Sequence, residues 1–250
     1  MKKRDTFFVG WSDDIPNVDR RFVLGAGAAL IAGGAGLGAA LGRLQNPPGD
    51  GAWDQSDVRS WTGLLLADPY PMLRTLDLGG APRTAFLATS GKTAVRLPPS
   101  LVGRTVTITA SLIERGDHDK LAAVDAQHWI APLAQAPSSQ LSAGLEKDLG
   151  PAALVGEILD AKCWFGAMRP GYGKSHKACA TLCARGGLPL AFCTDGCGAS
   201  EAPMFLDERG QAHARAILPY VADPVFVTGR RVQVGDVTQF RAPIASIHRL

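Results

Sequence analysis

Pro224-Val225-Phe226-Val227-Thr228-Gly229-Arg230-Arg231-Val232-Gln233-Val234, then Gly235-Asp236, then Val237-Thr238-Gln239-Phe240: two runs rich in β-branched and aromatic residues flank a two-residue turn. Alternation with period two marks strands, here over 225–234, and Gly-Asp between such runs is a hairpin signal because its first position takes a positive φ. A similar run, Gly103-Arg104-Thr105-Val106-Thr107-Ile108-Thr109, sits well upstream and marks a strand over 104–113. The Arg230-Arg231 doublet reads as a solvated strand end.

Working outward, the two runs belong to two similar stretches. The first opens Trp61-Thr62-Gly63-Leu64-Leu65-Leu66 and closes at His128-Trp129-Ile130. The second opens Leu154-Val155-Gly156-Glu157-Ile158-Leu159 and closes at Ser246-Ile247-His248. About five short strands per stretch, opening on a glycine-bearing strand, resemble the small OB-like barrel. The alternative is one sandwich of eight to ten strands. The fold class is therefore mainly β, two tandem OB-like barrels, with a first domain at 58–130 and a second at 151–250. Pro/Gly-rich polar stretches at 43–57 and 131–150 read as linkers. The opening glycines are 93 residues apart and the closing histidines 120, so the second unit is longer by 27 internal residues. An extra segment at 161–200 accounts for them, and it holds all five cysteines; added length in a loop is where sites are built.

Residues 22–42 carry no charge and are long enough to span a bilayer. Arg20 and Arg21 stand directly before this span, and Lys2, Lys3 and Arg4 lie further upstream, a bias that leaves the N-terminus inside and the rest outside. Arg20-Arg21-Phe22-Val23-Leu24 resembles a twin-arginine signal, an address read by the twin-arginine translocase. The expected organisation is a cytoplasmic tail at 1–19, a signal or retained anchor at 20–42, and the bulk on the periplasmic side of a bacterial inner membrane. Gly34, Gly38 and Gly42 recur every fourth residue, a small-residue stripe that lets another membrane helix approach. The 26 basic and 23 acidic residues nearly balance and are not clustered, which excludes a nucleic-acid footprint.

Within the extra segment, Cys163, His176, Cys179 and Cys183 have spacings that suit three chemistries. Ser175 as N-cap and Gly186 as C′ residue predict a helix over 176–185, which aligns His176, Cys179 and Cys183 on one face. An oxidising compartment favours disulfides, with Cys163 joined to Cys179 or Cys183. The same four residues form a Cys₃His set for zinc or copper(I). Cys179 beside His176 and Lys177 also fits a reactive thiol. Haem-attachment, C-x-x-C, Rieske and P-loop patterns are all missing: Met168 stands where a P-loop before Gly173-Lys174-Ser175 needs its first glycine. His128 and His248 read as equivalent strand-end residues, His213 as exposed, and Trp61, Trp129, Trp164 and Phe165 as core or rim.

Gly156-Glu157, Asp160, Cys163, His176, Cys179-Ala180, Cys183 and Gly186-Gly187-Leu188-Pro189 together resemble a group of uncharacterised exported bacterial proteins. The likeness covers about 35 residues, and Cys193 and Cys197 look like additions to it. Members of the group look like companions of membrane respiratory proteins. The resemblance thus implies a membrane-anchored, non-catalytic periplasmic subunit of an electron-transfer complex, with no reaction attached. The competing expectation is a stand-alone periplasmic metal-binding or thiol-redox protein.

Overall fold

The computed structural model of the chain describes residues 16–44, 51–77, 79–116, 120–124, 128–134, 141, 146–197 and 202–250. The tail before residue 16, parts of both stretches read as linkers and part of the charged turn after Glu114 lie outside the described residues. Two units separate, one ending at Pro47 and one beginning at Pro48.

Among the described residues the first unit is a single helix, α1 (Asn17–Leu44). Its residues from Asn17 to Arg43 are long and apolar enough to cross a membrane. Gly34, Gly38 and Gly42 lie on it with open space where a Cβ would stand.

Among the described residues the second unit holds twelve strands in two sheets, each closed into a five-stranded barrel. The first contains β1 (Ala52–Leu66), β2 (Met72–Leu76), β3 (Pro82–Thr89), β4 (Thr105–Glu114), β5 (Lys120–Val124) and β6 (Ile130–Pro132). They follow the order β1-β2-β3-β5-β4, β4 returns to β1, and β6 adds to β4. The second contains β7 (Glu146–Asp160), β8 (Leu190–Cys193), β9 (Met204–Leu206), β10 (Pro224–Val234), β11 (Val237–Arg241) and β12 (Ile247–Arg249). Its order is β7-β8-β9-β11-β10, closed by β10 on β7, with β12 added to β10. In both, the third and fifth strands run parallel and the other ring pairings are antiparallel. The five-stranded closed order of an OB-like barrel thus occurs twice, and the single sandwich does not form.

Strand register makes the repeat quantitative. A Cβ on Gly63 would stand 2.3 Å from the carbonyl oxygen of Arg74, and one on Gly156 would stand 2.1 Å from that of Cys193. Each glycine lets the opening strand press against the second strand of its own barrel. Gly63 also faces Val106, as Gly156 faces Val225. Counterparts are 93 residues apart at Gly63/Gly156 but 119 apart at both Arg74/Cys193 and Val106/Val225, so 26 extra residues fall wholly between the first and second strands. The count of 27 from the closing histidines differs because those histidines are not counterparts. Pro132 faces Val106 and Arg249 faces Val225. His248 therefore lies inside β12, whereas His128 precedes β6 at a φ of 56°.

Other boundaries shift for equally local reasons. β1 begins inside the stretch read as linker, because Trp53 pairs with Ile113 and its indole donates to Ser111 Oγ at 2.9 Å. β7 likewise begins at Glu146, where Glu146 pairs with Val234. The hairpin at Gly235-Asp236 forms as read, with Val234 opposite Val237 and Gly235 at a φ of 62°. The Arg230-Arg231 doublet lies within β10 rather than at its end, and Arg230 pairs with Asp148.

Three apolar cores result. One fills the first barrel around Leu65, Leu73, Leu87 and Ile108. Another fills the second around Ile158, Phe192, Phe205 and Phe240. The third joins Tyr70, Met72, Phe86 and Ile113 of the first barrel to Leu159, Trp164, Phe165 and Leu206 of the second. Polar contacts tie the same seam. Asp236 of the hairpin accepts from the Thr84 backbone at 2.6 Å and its hydroxyl at 2.7 Å, and lies 3.7 Å from the buried Arg74.

Candidate functional site: a three-thiol cluster at the barrel seam

The 26 extra residues form a compact excursion. After Asp160 the chain makes one helical turn (Cys163–Ala167), a Gly/Pro loop, a short 3-10 turn (Lys174–His176) and helix α2 (Lys177–Arg185), and then enters β8. Ala161 N–H donates to the Pro189 carbonyl at 2.9 Å and closes the base. Ser175 makes no cap, because the 3-10 turn continues directly into α2 and puts His176 at the cap position. The left-handed residue after the helix is Gly187, with a φ of 84°, rather than Gly186. Gly186 is needed small for another reason: a Cβ there would stand 1.8 Å from the carbonyl oxygen of Lys92 on the first barrel. Ala94 N–H donates to the Gly186 carbonyl at 2.8 Å, so the excursion is stitched to the loop after β3.

Cys163, Cys179 and Cys183 meet here. Their sulfurs all lie within 4.8 Å of one another, and Cys163 Sγ is 3.8 Å from Cys179 Sγ. All three are free thiols, Cys163 and Cys183 buried and Cys179 half-buried. The staple between Cys163 and α2 read from the sequence is thus not formed. The disulfide joins Cys193 to Cys197 instead. It belongs to a short turn after β8, whose Cys197 carbonyl accepts from the Trp164 indole at 3.2 Å.

His176 comes into the same cluster but faces a carboxylate. Its Nε2 is 3.0 Å from Asp160 Oδ2, and both side chains are almost wholly buried. The other oxygen of Asp160 accepts from Cys163 N–H at 2.9 Å. Asp160, Cys163 and His176 form a second donor group within 4.8 Å, so Cys163 is common to both groups. The four residues chosen from spacing are therefore together, but as three sulfurs plus a His–Asp pair behind one of them.

Electrostatics follow from this packing. The Cys163 thiol is pushed well above its ordinary value by its hydrogen bond to Cys183, by burial and by the charge of Asp160. Cys183 is lowered because it receives that hydrogen bond. Lys92 reaches over from the first barrel with Nζ 2.6 Å from Cys179 Sγ, a contact that raises the lysine above its usual value. Lys162 is buried and turned away, donating to the carbonyls of Thr89, Ser90 and Gly91, each at 2.7 Å. Burial lowers it.

Lys92 and Lys162 escaped the sequence reading. Lys92 is 87 positions from Cys179, and nothing local marks it. Asp160 had a signal, a carboxylate three residues before a cysteine at a strand end, but no ligand or orienting role was drawn from it. The aromatics are core or rim as expected: Trp164 is 2% exposed, with Arg115 stacked 4.4 Å from its ring centre. Met168 is exposed. His213 is half-buried rather than exposed, stacked on Phe205 at 4.6 Å.

Three thiols and a buried His–Asp pair at one seam can hold a metal ion. Soft sulfur donors suit zinc or copper(I), and a carboxylate that fixes an imidazole is the usual outer support of such a site. No protein-family model matches the chain, and no curated protein does.

Proposed function

We propose that this is an exported, membrane-anchored metal-binding protein that serves as a non-catalytic companion of a membrane electron-transfer complex. The observation that carries the metal-binding half is the convergence of Cys163, Cys179 and Cys183 as free thiols within 4.8 Å of one another. Free buried thiols beside an intact disulfide are consistent with a protein folded around a thiolate ligand set in an oxidising compartment. Export rests on Arg20-Arg21 and the uncharged stretch 22–42 that follows them. The companion role rests on the resemblance over 156–189 and on the Gly34/Gly38/Gly42 stripe, which suits contact with another membrane helix.

The reading is tested on protein purified from membranes under argon. Metal analysis should find close to one zinc or copper per chain. After denaturation and metal removal, thiol titration should count three free cysteines and one disulfide. Cys163→Ser should abolish the metal. A metal-free protein whose Cys163 is disulfide-bonded would overturn the metal-binding half. The companion role fails if the tagged chain migrates alone on native gels of mild-detergent membrane extracts. Arg20-Arg21→Lys-Lys should leave the protein in the cytoplasm, and normal export of that variant would remove the targeting claim.

A further inference from the structure

The cluster has a closed side and an open side. Cys163 is 4% exposed and Cys183 1%, packed in the core shared by the two barrels. Cys179, in the first turn of α2, is half-buried, and the side chain hydrogen-bonded to it, Lys92, is exposed. On the closed side His176 and Asp160 are bonded to each other. They group with Cys163 but not with the other two sulfurs.

Two consequences bear on what the site holds. Structural zinc takes four ligands in a closed tetrahedron. Here three sulfurs converge while His176 Nε2 is bonded to Asp160, a set that matches the softer, lower-coordinate copper(I). Charge is the second consequence. Three thiolates around a univalent ion leave two negative charges, whereas around zinc they leave one. The Lys92 ammonium stands where the excess would lie.

Resting on the metal-binding reading, we infer that the site carries copper(I) as exchangeable cargo, loaded and released at the Cys179 edge, with Lys92 as its charge partner. Loading displaces the thiol protons to solvent and leaves copper univalent throughout. In release, sulfur ligands of the acceptor bond the copper as its bonds break, first to Cys179 and then to Cys163 and Cys183, and the freed thiolates take protons back from solvent, so no oxidant or reductant is consumed. The acceptor is a molecule presenting thiolate or thioether sulfur.

The full chain in detergent, reduced with a phosphine and kept anaerobic, is titrated with copper(I) buffered by a colorimetric chelator and, separately, with zinc. One copper(I) per chain in an all-sulfur environment by X-ray absorption is expected. Bound copper should pass to a competing thiol within minutes. Lys92→Met should weaken copper(I) binding about tenfold, the scale of one partly exposed charge at contact. It should weaken zinc binding less, and Lys92→Arg should restore the copper value. Cys179→Ser should keep the circular dichroism and melt of the parent while losing copper. Zinc bound in preference to copper(I), with a histidine nitrogen in the shell, would overturn the copper assignment and leave the metal-binding reading intact. Copper held for hours against the thiol, or unchanged in Lys92→Met, would overturn the exchange edge. Failure of both metals to bind would instead strike the metal-binding reading.

Discussion

The two barrels are built alike and differ at one joint. Both close in the same strand order, both use a glycine to seat the first strand on the second, and both join third to fifth strand in parallel. In the first barrel five residues bridge β1 to β2; in the second, twenty-nine bridge β7 to β8. The barrel tolerates this because a surface loop costs little more chain entropy as it lengthens, while the strand ladder stays intact. The chemistry was added without altering the scaffold. It was added toward the first barrel, which supplies Lys92 and the carbonyls that hold Lys162. The plain barrel is thus half of the wall of the site built on the other.

That dependence gives the largest expected effect. The sequence alone suggests two separable barrels, so that residues 151–250 should melt cooperatively by themselves. The shared core predicts otherwise. Without the first barrel, Trp164, Phe165 and Leu206 lose Tyr70, Met72, Phe86 and Ile113. A fragment of residues 146–250 should therefore lack a cooperative thermal transition and bind a hydrophobic dye, and regain a sharp melt when residues 51–132 are restored in one chain. A cooperative melt of the fragment alone would return the barrels to independence.

Next in size are the seating glycines. Gly63→Val and Gly156→Val each force a side chain into a carbonyl oxygen of the neighbouring strand, and overpacking of that kind costs about 3 kcal/mol. Chemical denaturation should place the two losses within about 1 kcal/mol of each other if the barrels are true repeats. Gly156→Val should be the worse, since Phe192 also stands 2.8 Å from the added atom. A silent Gly63 variant would show that the opening strands are not equivalent.

The third test separates support from ligand. Removing His176 takes a hydrogen-bond partner from the buried Asp160, and leaving a buried carboxylate oxygen unsatisfied costs about 3 kcal/mol. His176→Ala should destabilise the protein by that amount with or without metal. Cys179→Ala, at a half-exposed site, should cost under about 1 kcal/mol in the metal-free protein. Spacing alone cannot make this distinction, since it places His176 beside the cysteines and makes its loss consequential only if it binds metal. An unchanged melt for metal-free His176→Ala would show that the Asp160 pair contributes nothing.

What could be read from the sequence followed the range of each signal. Alternation and the Gly-Asp turn are local, so β4, β10 and the hairpin were legible. Gly63 and Gly156 gave away the repeat because a glycine in a strand marks close backbone approach. Clustering gave the location of the site. Cysteine pairing was not legible, because Cys163 and Cys179 sit at distances equally suited to a bridge or a shared ion. Only the fold sends Cys193 to Cys197 and leaves three thiols together. Lys92 and the seam core depend on contacts between residues far apart in the chain, which no periodicity encodes.

The smallest expected effect concerns His213, in the connection from β9 to β10, where the first barrel has no histidine. The ring stacks on Phe205, and burial holds its basicity below that of an ordinary histidine, against the opposing pull of Asp207 and Glu208. The folded protein therefore takes up the proton at lower pH than the unfolded chain does. Above about pH 6.5, the ordinary histidine value, both states are neutral and the stabilisation is fully present. As pH falls below that value the unfolded chain binds the proton first, and stability drops until the folded pKa is passed, by at most about 1.4 kcal/mol per pH unit. His213→Phe keeps an aromatic ring against Phe205 and removes the proton site. In thermal melts between pH 7.5 and 5 the parent should therefore lose more on acidification than the variant, and the difference begins near pH 6.5. Parallel curves over the whole range would mean that His213 titrates alike in both states and that its stacking on Phe205 does not desolvate it.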